Sequence, residues 1–250
     1  MEYKFIATES KDGIATVTFN RPEVLNTMNE AMAAETAAAM QAFDNDESIR
    51  AIIIRGNEKA FCAGIDVKEF AERIDELSLL TEHIKESLKT ISNLRKPLIA
   101  AASGYVLGIG AEVLMCADIV IASDSFRLGL PEASLGLIPG MGVLNKLIQT
   151  AGRAKAMEMA LCGRAMLAEE AERSGIISRI VPLPDLNAEA FNAAGQIIKN
   201  PQFAIEAIKA SVRDIFENNS RIEETNLRNK VLITTEEFRA YIGNFNNQPA

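Results

Sequence analysis

Histidine is nearly missing from this 250-residue chain, in which His83 is the only one. A single imidazole excludes histidine-rich zinc sites by count, and no cysteine cluster replaces them. A Ser-His-Asp triad would have to run through His83, which lies in the charged stretch TEHIKESLK and reads as a surface residue. Cysteine is also sparse: Cys62, Cys116 and Cys162 show no C-x-x-C spacing. An odd, scattered set fits free thiols in a reducing compartment better than a disulfide framework. Basic residues are outnumbered, 26 against 34 acidic ones, for a formal net charge of -8. That balance argues against a nucleic-acid partner, which needs basic surface to meet phosphates. It leaves room for a small anionic ligand held by a few Lys or Arg at one mouth. The start, MEYKFIATES, lacks a basic region followed by an apolar core, so the expected location is cytoplasmic. The acidic run Asp44-Asn45-Asp46-Glu47 lacks the glycine and distal glutamate of a calcium loop and reads as a solvated turn.

Long uninterrupted apolar segments are lacking too. Pro97 to Ala117 holds a single charged residue, Glu112, but Gly104, Gly108 and Gly110 interrupt it. Three glycines in seven residues fit a strand-loop-helix turn rather than a membrane span.

Apolar residues nevertheless make up 48% of the chain, enough for a sizeable core. Residues 3–8 and 13–19 alternate about Lys11-Asp12-Gly13 and predict a hairpin. Asn29 suits an N-cap for a helix reaching Phe43. The runs 51–56, 98–104 and 119–123 read as buried strands. Residues 66–94 read as one or two exposed helices ending before Pro97, and Gly108 to Ala117 as a further helix. Beyond Val181 the pattern becomes helical, over 185–199, 202–217 and 221–241. The expected organisation is an α/β core over 1–190 and a helical region over 191–250.

Glu112 is the most informative residue. Its neighbours are apolar on every side, so its carboxylate should be buried, where desolvation raises a pKa and suits proton transfer. A buried Glu satisfied by a structural partner is the competing reading. Gly108-Ile109-Gly110, ahead of that helix, offers backbone N–H groups to a phosphate or a developing oxyanion. The third glycine of a dinucleotide fingerprint is missing, since Val113 stands there. In FCAGIDVKEF (61–70), Ala63-Gly64 precedes Ile65 and a helix start. In GLPEASLGLIPGMG (129–142), Pro131 and Glu132 occupy a first helical turn. Taken singly, these last two motifs are ordinary helix entries.

Together, NRPEVLNTMN (20–29), KAFCAGIDVKEF (59–70), PLIAAASGYVLGIGAEVLMCADIVIAS (97–123), LGLPEASLGLIPGMG (128–142) and MEMALCGRAMLAEEAERSGIISRIV (157–181) resemble the enoyl-CoA hydratase/isomerase (crotonase) superfamily. The match runs in order through about three quarters of the chain. The resemblance implies a spiral of ββα turns followed by C-terminal helices that mediate a homotrimer or a dimer of trimers. It implies an acyl-CoA thioester substrate, coenzyme A being part of that substrate, with no metal and no separate cofactor. By motif position the oxyanion hole would be the N–H groups of Ile65 and Ile109. CoA contacts would come from Ala63, Ile65, Asp66, Val67 and Lys68. Hydratases of this type carry two glutamates, matching Glu112 and Glu132, and the resemblance therefore favours an enoyl-CoA hydratase. A Δ3,Δ2-enoyl-CoA isomerase or another acyl-CoA lyase is the alternative, and a non-catalytic CoA- or RNA-binding relative the non-enzyme one. The chain departs from the family pattern at Ile109, where small residues are usual, and over MGVLNKL (141–147). The first departure implies a narrower acyl pocket and the second an altered substrate preference.

Overall fold

The expected hairpin forms and sets one edge of a sheet. In the computed structural model, which describes residues 3–140, 142–218, 235–236 and 240, β1 (Ile6–Lys11) and β2 (Ile14–Phe19) pair antiparallel. The turn residues Asp12 and Gly13 have φ of 53° and 79°, as a type I′ hairpin turn requires. The Asn29 side chain accepts the Met32 N–H at 2.9 Å and so caps α1 (Glu30–Asn45).

The chain then repeats one unit, a strand in a first sheet, a strand in a second and a helical return. β3 (Ala51–Arg55) leads to β4 (Ala60–Cys62), α2 (Val67–Glu72) and α3 (Leu77–Ser92). β5 (Leu98–Ala102) leads to β6 (Tyr105–Leu107) and α4 (Ile109–Leu114). β7 (Ile119–Ser123) leads to β8 (Arg127–Gly129), α5 (Val143–Ala151) and α6 (Arg153–Cys162). The short β9 (Met166–Leu167), α7 (Ala168–Arg173), β10 (Arg179–Val181), α8 (Leu186–Ile197) and α9 (Gln202–Asn218) follow. The first sheet has the order β1-β2-β3-β5-β7-β10 and the second β4-β6-β8-β9. Within them β3, β5 and β7 run parallel, as do β4, β6 and β8. Repeating the unit in register winds the chain into a spiral of ββα turns.

Strands covered on both faces must be apolar throughout. Ile52, Ile54, Leu98, Ala100 and Ala102 belong to the main core. The alternate residues Ile53, Ile99, Ala101 and Ile121 face a second core, closed by Ala190, Ala193 and Ala194 of α8.

Some expectations are corrected. The stretch 66–94 is not simply exposed: Leu80, Ile84, Leu88 and Ile91 of α3 are buried, their helical spacing placing them on one face. Asp44 is not in a solvated turn. It is 4% exposed, and its carboxylate accepts the N–H groups of Arg95 and Lys96, each at 2.9 Å. The loop before β5 thereby finds partners for two donors that would otherwise be orphaned. The second sheet leaves no mark on the sequence pattern, because its strands have three residues or fewer. Among the described residues no helix is long and apolar enough to cross a membrane, and 97–117 is β5, β6 and α4. The helix expected over 221–241 lies almost wholly outside the described residues.

Candidate active site

The carboxyl-end loops of β4 and β6 meet at two glycines. A β-carbon built on Gly108 would lie 3.8 Å from the Gly64 Cα. One on Gly110 would lie 2.2 Å from the Cys62 carbonyl oxygen, so the first turn of α4 can sit on the end of β4 only as glycine. Gly108 itself has φ 51° and ψ −115°, a backbone that L-residues rarely adopt.

The first loop is held from beneath by the turn at residues 20–28. The side-chain amide of Asn26, fully buried, donates to the carbonyls of Ala60 at 3.0 Å and Phe61 at 3.3 Å. The Ala63 N–H donates to Leu25 O at 3.1 Å. Met28 bridges Ile65 through Met28 N–H to Gly64 O and Asp66 N–H to Met28 O, which leaves the Ile65 N–H outside the ladder. At the head of α4, the Gly108 N–H donates to Gly129 O, while those of Ala111 and Glu112 turn back to Gly108 O. The Ile109 side chain, 8% exposed, packs into the main core.

Asp66 works for the fold. Its carboxylate caps α2 through the Lys68 and Glu69 N–H groups and pairs with Arg21 at 2.8 Å. Burial pushes its pKa up, but the Arg21 pairing and the capping bonds outweigh this and hold it below the usual carboxylate range. Val67 is half exposed, and Lys68 is exposed and, among the described residues, pairs with Glu72 of its own helix at 3.8 Å.

Glu112 and Glu132 come together from different turns of the spiral. Glu112 lies in α4 and is 7% exposed. Its Oε2 accepts the Val143 N–H at 2.9 Å, while Oε1 is buried without a partner among the described residues. Glu132 opens the short 3₁₀ turn Glu132–Leu135 behind Pro131. Its Oε1 would lie 3.2 Å from a Gly108 β-carbon, and its Oε2 is likewise buried without a partner. Burial pushes Glu112 up to about 8; the Val143 hydrogen bond opposes this, the Glu132 charge adds to it and Lys146 opposes it. Burial also raises Glu132, against the pull of its own backbone N–H. Each glutamate thus keeps one buried carboxylate oxygen with no partner among the described residues, and Glu132 reaches the backbone at Gly108. His83 is exposed on α3, where it meets the Glu30 carboxylate. Among the described residues, no group of three or more His, Cys, Asp or Glu is placed to hold a metal.

The sequence motifs pointed to Glu112, Glu132, Ile65 and Ile109, but Val143, Arg21 and Asn26 went unmarked. The first acts through its backbone, which any residue supplies. The other two sit in NRPEVLN, whose role shows only once the turn is seen beneath the first loop.

The fold and the paired glutamates define a crotonase-type protein. The chain belongs to the enoyl-CoA hydratase/isomerase family, whose model matches residues 9–240. It is 40% identical over 227 residues to a probable enoyl-CoA hydratase of Rhizobium meliloti, covering 89% of this chain and 88% of that one. It is also 40% identical over 219 residues to a probable enoyl-CoA hydratase of Mycobacterium tuberculosis, covering 88% and 85%. Among solved structures, an enoyl-CoA hydratase subunit I from Geobacillus kaustophilus is similar with a TM-score of 0.90 and 30% identity, over 100% of this chain and 98% of that one.

Proposed function

We propose that the chain is an enoyl-CoA hydratase, adding water across the 2,3 double bond of a 2-enoyl-CoA thioester to give the 3-hydroxyacyl-CoA. The observation that carries this reading is the buried Glu112 carboxylate with the half-buried Glu132, each with one buried oxygen that has no partner among the described residues. Hydration needs a base for the water that attacks Cβ and an acid for Cα, and two carboxyls sharing one proton supply both. Glu112 holds and deprotonates the water, and Glu132 delivers the Cα proton. The N–H groups of Ile65 and Ile109 receive the thioester oxygen as enolate charge develops, each worth on the order of 3 kcal/mol. CoA lies along Ala63 to Lys68, with the Lys68 ammonium facing its phosphates. No metal or separate cofactor takes part.

Assembly belongs to the same reading. Ile208, Val212 and Ile215 form an exposed apolar stripe on α9, which supports a homotrimer or a dimer of trimers, measurable by light scattering.

The test of function is hydration of crotonyl-CoA, followed as loss of the conjugated enoyl-thioester absorbance. Rapid loss that disappears in Glu112→Gln is the expected result. No loss, from folded protein that still binds CoA, would move the reading to a Δ3,Δ2-enoyl-CoA isomerase, which needs only one carboxylate.

A further inference from the structure

α4 has only six residues, Ile109 to Leu114, too few for a helix to hold its own shape. Yet it presents Ile109 at one end and Glu112 in its middle. The neighbouring α5 fastens it at two points. The Val143 N–H, at the first residue of α5, donates to Glu112 Oε2 at 2.9 Å. One turn later, Lys146 Nζ donates to Met115 O at 2.9 Å, a carbonyl at the C-terminal end of α4 with no further helical turn to bond it. Val143 and Lys146 are three residues apart, as are Glu112 and Met115, so each pair shares one helix face. The two bonds are rungs between the same two helices, and one rung ends on a reacting carboxylate.

We infer that Lys146 is a positioning residue for the reaction: by holding the Met115 carbonyl it fixes how α4 presents Glu112 and the Ile109 N–H to the substrate. Its side chain lines a cavity of about 460 Å³ with Met115, Cys116, Ile205 and Lys209, a lining that includes neither glutamate. Its charge acts in the same direction as its hydrogen bond. The charged groups that bear on Glu112 are Glu132, which raises its pKa, and Lys146, which lowers it. Lys146 therefore favours the carboxylate form that must accept the proton of water. The inference rests on the hydratase reading for its consequence, but its physical content can be measured in the unliganded protein.

The experiment compares wild type with Lys146→Met, which keeps the apolar stem and loses donor and charge, and Lys146→Arg, which keeps both. Crotonyl-CoA hydration in Lys146→Met is expected to lose roughly 10–100-fold in kcat with KM within about threefold, and Lys146→Arg to recover most of it. Carbon-13 titration of the Glu112 carboxyl, without ligand, is expected to move upward in Lys146→Met. A wild type that does not hydrate crotonyl-CoA sinks the functional reading but not this one. Glu112 titrating identically in wild type and Lys146→Met, or an unchanged kcat, overturns the role of Lys146. If Lys146→Met does not fold, Lys146→Gln removes the charge while keeping a donor and is read by the same titration.

Discussion

Glu132 reaches over Gly108 so closely that a β-carbon there would lie 3.2 Å from its Oε1. The residue before Ile109 is thus bare on the side where the second glutamate arrives. One backbone position serves both proposed halves of the chemistry, since it orients the following N–H and clears space for the carboxylate.

Removing either carboxylate should stop hydration without unfolding the protein. Glu112→Gln and Glu132→Gln are each expected to lower turnover by about 10²–10⁴-fold while retaining CoA binding. Steady-state kinetics on crotonyl-CoA, with CoA affinity as the control, checks this. Near-full activity in either variant would remove that residue from the mechanism.

The pH profile should belong to the pair. Glu112 loses its proton near 8 under the influence of the Glu132 charge, and Glu132 titrates above its ordinary 4.5. The active form carries one proton between the two, so kcat/KM should be bell-shaped. It falls above about pH 8, where the last proton leaves, and falls on the acid side, where the second proton binds. In Glu112→Gln the residual activity should lack the alkaline limb near 8.

Stability should carry the same signature. The folded-state pKa of Glu112, about 8, lies above the ordinary 4.5. Its contribution to stability is therefore full below pH 4.5 and is lost as pH rises through 8. Glu112→Gln cannot ionise, and its amide oxygen can still accept the Val143 N–H. It should match wild type in acid and exceed it above pH 8 by up to a few kcal/mol. Thermal melts of both proteins across that range decide the matter; an equal difference at every pH would contradict it.

Gly110→Ala should damage the fold as well as the site. Its new β-carbon would fall 2.2 Å from Cys62 O, a backbone atom that cannot swing aside. A loss of about 3 kcal/mol or more in denaturant unfolding is expected, as for other overpacked sites. Wild-type stability in this variant would mean that α4 and β4 have slack between them.

The strands β2, β3, β5 and β7 were legible because each is a continuous or alternating apolar run, and α1 because Asn29 caps it. The three-residue strands β4, β6 and β8 were not, since so short a segment carries no period. Asp44 misled because a run of acids looks solvated until the Arg95 and Lys96 N–H groups are found beside it.

Sequence alone determined that Glu112 would be buried, because every neighbour on its helix is apolar, and that glycines would stand where two loops turn. It also determined the family, through the order of its motifs. No local pattern paired Glu132, twenty residues further on and ordinary in its own turn, with Glu112: the family resemblance implied it, and the tertiary structure brings the Glu132 charge to bear on Glu112, whose carboxylate the Val143 N–H holds. The physical reason is that burial follows from local composition, whereas the meeting of two carboxylates depends on how successive turns of the spiral stack. Stacking is set by contacts between residues distant in the chain, and no local pattern records them.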